Sequence, residues 1–376
     1  MQSNQLVFKK TLVARALYVA FGAMALTVGV NPTAMAQTNA TGSIYGHVDS
    51  ASGTTISILN KETGSRRTIT PDSTGHFSAA SLATGTYKVE QLVNGKVTSS
   101  TDNVEVRIGQ GSEVALGAKL EAVQVIGLRQ KIDVSSMGST TVFTANDLAK
   151  VPVASNVGAV IQLAPNTTRG DARFGGGNAP SFGGSSASEN AYYINGFPVT
   201  TLLTQVGFSQ LPFNSIAQAQ VLTGGYGAEF GRSTGGVVNI VTKSGTNEWV
   251  GGVQMSTAPN SLRATPRDQF YEVNGTTLDG KLRYYNGLNT DTTNSASFYL
   301  GGPIIKDKLF MFIAGEDTKR YRDSIRTANT SATYSASAAA QSTLFQEINT
   351  DTPRYLLKLD WNLTDANRLE YTRISD

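Results

Sequence analysis

Residues 354–363 read Arg354-Tyr355-Leu356-Leu357-Lys358-Leu359-Asp360-Trp361-Asn362-Leu363. In an extended chain successive side chains point to opposite faces. Tyr355, Leu357, Leu359, Trp361 and Leu363 therefore share one face, and Arg354, Lys358, Asp360 and Asn362 the other, with Leu356 the single exception. A strand that is apolar outward and polar inward is what a membrane-spanning β-barrel requires, although a soluble sandwich can show the same alternation.

The flanking sequence repeats the unit. A short turn at Thr364 to Asn367 leads to a second run, with Leu369 and Tyr371 on one face and Arg368, Glu370 and Thr372 on the other. Upstream, strands are expected at about Ser295 to Ile304 and Leu309 to Ile313, joined by a short turn at Ile305 to Lys308. Between these hairpins lie polar stretches at roughly 258–293 and 319–351, expected as long loops. Short turns alternating with long loops are the outer-membrane barrel pattern, and Trp249, Phe298, Tyr299, Phe310, Phe312 and Trp361 are expected as aromatics bracketing its strands.

The N-terminus explains how such a chain would reach that membrane. Lys9, Lys10 and Arg15 precede the apolar run Ala16 to Val30, and Ala34-Met35-Ala36 offers small residues before Gln37. Residues 1–36 are read as a secretory signal, with cleavage after Ala36. The run is shorter than the roughly 20 residues a spanning helix needs. Its three bases are part of the 31 in the chain and it holds no acid, so the remainder carries 28 bases against 28 acids. That balance gives no electrostatic case for nucleic acid. Charged residues are 16% of the chain, against about 25% in soluble domains, and there is no cysteine. Disulfides and thiolate chemistry are excluded.

Residues 41–118 alternate in short runs, such as Ile44, Gly46 and Val48 or Val104, Val106 and Ile108, separated by turn signals at Asp72 to Gly75 and Asn94-Gly95. This reads as a β-sandwich. His47 and His76, the two histidines, lack any zinc-ligand spacing. Residues 119–130 form a joining segment. Residues 131–245 are mixed α/β. Thr144 to Asp147 is a capping-box pattern, with Pro152 ending that helix. Val157, Val160, Ile161 and Ala164 mark one face of a second helix, stopped by Pro165. Asn195-Gly196 between apolar runs is a hairpin signal, because both residues of that turn take positive φ. The glycines do not form a phosphate loop: Gly224, Gly225, Gly227 and Gly231 are wrongly spaced and no Gly-Lys-Ser/Thr follows 170–190. With no nucleophile–base pair, metal cluster or cofactor loop, neither an enzyme nor a cofactor is expected.

Two resemblances extend this reading. The positions Asp72, Gly75, Phe77, Leu82, Gly85 and Tyr87 resemble the carboxypeptidase regulatory-like domain, which implies no peptidase activity. The stretches Pro212–Ser215, Ala219–Gly227 and Gly235–Lys243, with Tyr193-Ile194-Asn195-Gly196 and the helix before Pro165, resemble the plug of TonB-dependent outer-membrane receptors. The family usually has Asp where Asn195 stands. The plug signature residues are Asn195, Gly196, Tyr226, Gly227, Gly235, Gly236 and Asn239. The stretch Gly301 to Phe310 resembles the first barrel hairpin of the Oar-like subgroup, which also carries a regulatory-like domain.

The expected fold is thus mainly β, with a sandwich at 41–118, a plug at 131–245 and the first strands of an antiparallel barrel at 246–376. The resemblance implies a receptor in the outer membrane of a Gram-negative bacterium, its regulatory-like domain in the periplasm. It places a TonB box at Glu121, Ala122, Val123, Gln124, Val125 and Ile126, recognised by TonB through strand addition. Gln124 and Ile126 depart from the family's valine- and threonine-rich pattern. An unidentified extracellular ligand would bind at the plug apex, and TonB would pull the box to rearrange the plug. The length and mixed chemistry of the loop 169–190 make Arg169, Asp171, Arg173, Phe174 and Phe182 the expected ligand contacts. An outer-membrane structural or adhesion protein of the Oar-like type, and a periplasmic binding module built on the sandwich, remain alternatives. Residues 246–376 hold about five expected strands, whereas a plugged barrel has about 22, so a fragment or truncated product is expected.

Overall fold

The computed structural model describes residues 40–49, 52–116, 139–150, 156–170, 179–272, 274–277, 279–284, 286–325, 345–364 and 367–376. All belong to one unit, Thr38–Asp376. The expected signal segment with Ala34, Ala36 and Gln37, the box Glu121 to Ile126, and Asp171, Arg173 and Phe174 lie outside the described residues.

Seven strands make the N-terminal sandwich: β1 (Thr41–His47), β2 (Thr54–Asn60), β3 (Arg66–Ile69), β4 (His76–Ala83), β5 (Gly85–Val93), β6 (Lys96–Val106) and β7 (Gly111–Ala115). They pair as β4-β1-β7 and β3-β2-β5-β6. Alternating residues face inward, and Ile44, Ile56, Ile58, Phe77, Tyr87, Val89 and Val106 form a core of their own. The Tyr87 hydroxyl donates to Ala83 O at 2.8 Å, pinning the β4–β5 corner. Asp72 Oδ1 accepts from the amides of Thr74 and His76, both at 2.9 Å, and so holds the turn into β4. His47 and His76 sit opposite each other across β1 and β4, exposed, with ring centroids 5.0 Å apart. Among the described residues no cluster of three or more His, Asp or Glu could hold a metal.

The next layer is a five-stranded sheet ordered β12-β11-β14-β13-β8. Its strands are β8 (Thr140–Thr144), β11 (Ala191–Ile194), β12 (Phe197–Pro198), β13 (Ile216–Leu222) and β14 (Val237–Thr242); β9 (Thr167–Arg169) and β10 (Pro180–Phe182) pair separately. β11 and β14 are apolar runs buried on both faces, as expected for a sheet covered on two sides. Helix α1 (Ala145–Lys150) starts with a reciprocal cap, in which Thr144 Oγ1 accepts from the Asp147 amide at 3.3 Å and Asp147 Oδ2 accepts from the Thr144 amide at 3.0 Å. Burial pulls against ionisation of Asp147, but the hydrogen bonds from Thr144 outweigh it and hold the carboxyl below its usual range. Helix α2 (Val157–Ile161) is capped by Asn156, whose side chain accepts from the Ala159 amide at 2.8 Å.

A second five-stranded antiparallel sheet follows: β15 (Val250–Ala258), β18 (Thr290–Ile305), β19 (Leu309–Ile325), β20 (Phe345–Asn362) and β21 (Arg368–Ser375), paired in that order. The short β16 (Gln269–Phe270) and β17 (Leu282–Tyr284) form a small hairpin between β15 and β18. The alternation read at 354–363 is borne out in register. Phe298, Gly315 and Tyr355 align on the outer face, as do Leu300, Ile313 and Leu357. Val253, Met255, Tyr355 and Tyr371 stand exposed there. This outer band ends where Asp317, Lys319 and Asp351 meet in exposed ion pairs of 3.7 and 3.9 Å. Arg373, opposite Leu357 on the edge strand β21, is a charge on that face that nothing in the structure explains.

Two expectations need correction. β18, β19 and β20 run 16, 17 and 18 residues, well into the stretches at 258–293 and 319–351 expected as loops. A bilayer needs only about 9–11 tilted residues per strand. Beyond the apolar band both faces of a strand are wet, so the two-residue hydrophobic period vanishes although the ladder continues. The aromatics also divide. Trp249 lies on the outer face over Gly302 and Phe298 over Gly315. Tyr299, Phe310 and Phe312 point the other way, Phe310 and Phe312 being 0% and 2% exposed. They do not bracket the membrane but pack on the inner side.

Candidate functional site

The inner face of the long sheet is where the middle domain docks. Phe312, Ala314 and Leu356 on the wall join Val160, Ile161, Tyr192, Ile194, Leu211, Ile216 and Ile240 of the middle domain in one hydrophobic cluster. Leu356, the exception in the alternation, is the apolar residue this contact needs. Around it the contact is polar. Glu316 Oε2 accepts from the Phe213 amide at 2.9 Å, and its Oε1 from Arg354 Nη1 at 2.7 Å. Asn214 Nδ2 donates to Ser297 Oγ at 2.8 Å, and the Gln210 amide to Asp376 Oδ2 at 2.8 Å. Lys358 and Asp360, each 2% exposed, are paired with Glu370 and Arg368. Lys243 lies 4.7 Å above the Tyr299 ring, and burial holds its ammonium below its usual range.

The signature residues are brought together at both ends of the middle sheet. At one end, Asn195 (φ 49°) and Gly196 (φ 83°) make the two-residue turn between β11 and β12. Positive φ at both places favours Asn-Gly. Asn195 then does more than turn. Its Oδ1 accepts from the Thr242 amide at 2.9 Å, while its Nδ2 donates to Thr242 Oγ1 at 2.9 Å and to Thr372 Oγ1 on the wall at 3.3 Å. We expect Asn195→Ala to destabilise the chain by about 1–3 kcal/mol, since it strands a buried amide. Asn195→Asp should cost less, because Oδ1 survives. Urea unfolding midpoints check both.

At the opposite end the loop 223–236 folds over a small apolar cluster of Ala191, Tyr193, Leu222, Phe230 and Val237. Tyr193 and Phe230 meet edge to face at 5.4 Å. The Tyr226 hydroxyl lies 3.0 Å from Ser233 Oγ and 3.2 Å from Gly235 O. Gly227 is exposed, and its carbonyl accepts from the Phe230 amide at 3.2 Å. Gly236 donates to Asn190 Oδ1 at 3.2 Å, and a Cβ on it would fall 2.3 Å from the Phe182 ring. Gly235 is similarly crowded by Asn190 and Ser185. Asn239 is fully buried in β14, opposite Gln220.

Of the expected ligand contacts, two are described. Arg169 is exposed, its Nε 3.4 Å from Gln162 Oε1. Phe182 is 2% exposed, with its ring in the hydrophobic cluster and packed on Gly236. Phe182, with Asn166, Gly183, Ser185, Thr223 and Tyr226, lines an open cleft of about 680 Å³. No sequence signal singled out Glu316, Arg354 or Gln218, whose roles depend on partners about 40 to 110 residues away in the chain.

Parts of the chain are similar to known proteins. Residues 133–238 match the TonB-dependent Receptor Plug Domain. The TonB-dependent transporter Oar of Myxococcus xanthus is 30% identical over 292 residues, 69% of this chain and 26% of that protein. Among solved structures, the outer membrane transporter YddB from Escherichia coli is 16% identical, with a TM-score of 0.46 over 62% of this chain and 32% of its own. The siderophore receptor PirA from Acinetobacter baumannii is 21% identical, with a TM-score of 0.43 over 64% and 31%. This chain spans about a quarter of the length of the curated relative it matches. With its plug domain seated on the inner face of a sheet whose outer face is apolar, the chain belongs to the TonB-dependent receptors of the Gram-negative outer membrane.

Proposed function

We propose that this chain forms the plug and the first wall strands of an Oar-like transporter, which takes up an extracellular ligand with energy from TonB. The observation that carries the reading is the plug–wall contact. The wall's small apolar share of the contact is ringed by polar hydrogen bonds, some of them to carboxylates, and by paired charges, a surface that can come apart and hydrate without exposing a large core. The N-terminal sandwich acts as the regulatory-like domain, on the short-turn side of the wall. The ligand is met by the outer part of the plug. Arg169, with Asp171, Arg173 and Phe174, supplies contacts there, and the neighbouring cleft gives room.

Glu121 to Ile126 act as the TonB box. An added strand is held by main-chain hydrogen bonds, so removing an amide should matter more than changing a side chain. Binding of the full chain to the purified periplasmic domain of TonB, measured by titration calorimetry, tests this. Val125→Pro should weaken binding at least tenfold, whereas Val125→Ala should stay within about threefold, consistent with main-chain recognition. Equal binding by Val125→Pro and the unaltered chain would remove the box from this segment.

A further inference from the structure

Ile108 is fully buried, yet it belongs to none of the three hydrophobic clusters. It lies in the turn between β6 and β7, where its main-chain atoms meet the plug. Its amide donates to Gln218 Oε1 at 2.8 Å, Gln218 Nε2 donates to Val106 O at 3.4 Å, and Gln220 Nε2 to Ile108 O at 3.5 Å. Gln218 and Gln220 are two apart on β13, so both project from one face of the plug sheet. The turn closes through Gly109 at φ 65°, where a Cβ would fall 2.5 Å from Gln220 Nε2. A second foothold touches the entrance to the wall. The Asn247 amide donates to Glu62 O at 2.8 Å, and the Asn247 side chain is bonded to Asp307 in the β18–β19 turn. The 60–65 turn that presents Glu62 is stiffened by Asn60 Oδ1, which accepts from the amides of Glu62 and Thr63 at 2.9 Å.

The seam is thin. The sandwich core contains no plug residue, and the plug core contains no sandwich residue. Among the described residues, the hydrogen bonds that cross to the plug run from two glutamines to main-chain atoms, Arg107 adds a charge that favours ionised Asp147, and Gln220 Oε1 is buried with no partner. Such bonds contribute little net stability, and an unmet acceptor subtracts from it. Each domain, by contrast, is closed around its own apolar cluster. The weakest place in this part of the molecule is therefore the seam, and it can open while both cores stay intact.

We propose that the N-terminal sandwich is a latch. Closed, it ties β13 of the plug to the start of the wall through the 106–109 and 60–65 turns. Open, it swings away as a rigid body and uncovers the plug face that bears Gln218 and Gln220. Nothing in this depends on which ligand is carried or on TonB, so it stands or falls separately from the transport reading.

The test is native-state hydrogen exchange on the full chain in detergent micelles. The Ile108 amide should exchange at least tenfold faster than the slowest amides of β5 in the sandwich and β14 in the plug. Gln218→Ala should speed Ile108 by a further tenfold or so and leave β5 and β14 unchanged. Gln220→Ala, which removes the longest bond and the unmet oxygen together, should change the Ile108 rate less than threefold. If Ile108 in the unaltered chain exchanged at the same rate as the two cores, sandwich and plug would be one cooperative block and the latch would be refuted. An Ile108 rate indifferent to Gln218→Ala would refute it equally.

Discussion

Glu316→Ala should lower the unfolding free energy by about 3–5 kcal/mol, the cost of stranding one member of a buried ion pair. The Glu316 side chain is 5% exposed and that of Arg354 18%, with 2.7 Å between them. Removing the carboxylate leaves the guanidinium without its partner and the Phe213 amide without its acceptor. Glu316→Gln keeps an acceptor for Phe213 and should lose less. Glu316→Leu combined with Arg354→Leu removes both charges and should recover most of the loss, because a matched apolar pair is often no worse than a buried salt bridge. The readout is convenient, since the only two tryptophans, Trp249 and Trp361, both lie in the wall region. Urea midpoints followed by their emission decide the matter. A single-variant loss below about 1 kcal/mol would mean the pair behaves as an exposed one and that the bond from Phe213 to Glu316 adds little to the plug–wall contact.

Gly245→Val should cost about 3 kcal/mol, at the top of the usual range for overpacking. Gly245 carries the chain from the plug into the wall. A Cβ there would lie 2.4 Å from Met311 O, 2.7 Å from Gly302 O and 2.9 Å from Met311 N. All three are main-chain atoms of paired strands, so no side chain can rotate away to make room. Even Gly245→Ala should be felt. Gly224→Ala is the control, since a Cβ there meets nothing within 4 Å and the backbone is not left-handed. Protease cleavage between Lys243 and Trp249 should rise sharply in the Gly245 variants and stay at the starting level in Gly224→Ala. Equal cleavage in all of them would mean the crossing is looser than its geometry indicates.

Local chemistry made several elements readable before any contact was known. Asn195-Gly196 announced its turn because the required φ angles are rare for other residues. The pair of Thr144 and Asp147 announced a helix start, and the outward row from Tyr355 to Trp361 announced a membrane-facing strand. Each of these depends on residues within a few positions of one another, or on a solvent that rewards one period. The inward row carried no comparable signal. Phe310 and Phe312 looked like membrane aromatics because apolarity alone does not say which side of a wall a residue faces. The packing of the Phe182 ring was equally silent, because Gly236, on which it rests, comes 54 residues later.

The mainly β class, the hairpin and cap positions and the apolar outer band were legible in the residues alone, as consequences of short-range sterics and of the lipid or water next to each strand, and the plug signature was legible as a resemblance. That Leu356, Phe312 and Ala314 form the wall's share of the plug core emerges from the folded contacts. They alone showed that Glu316 reaches Phe213, and that Gln218 and Gln220 reach back to the turn at Ile108. These contacts join residues 40 to 110 or more positions apart. A buried polar group must find a partner, but nothing in its own neighbourhood says where in the chain that partner lies.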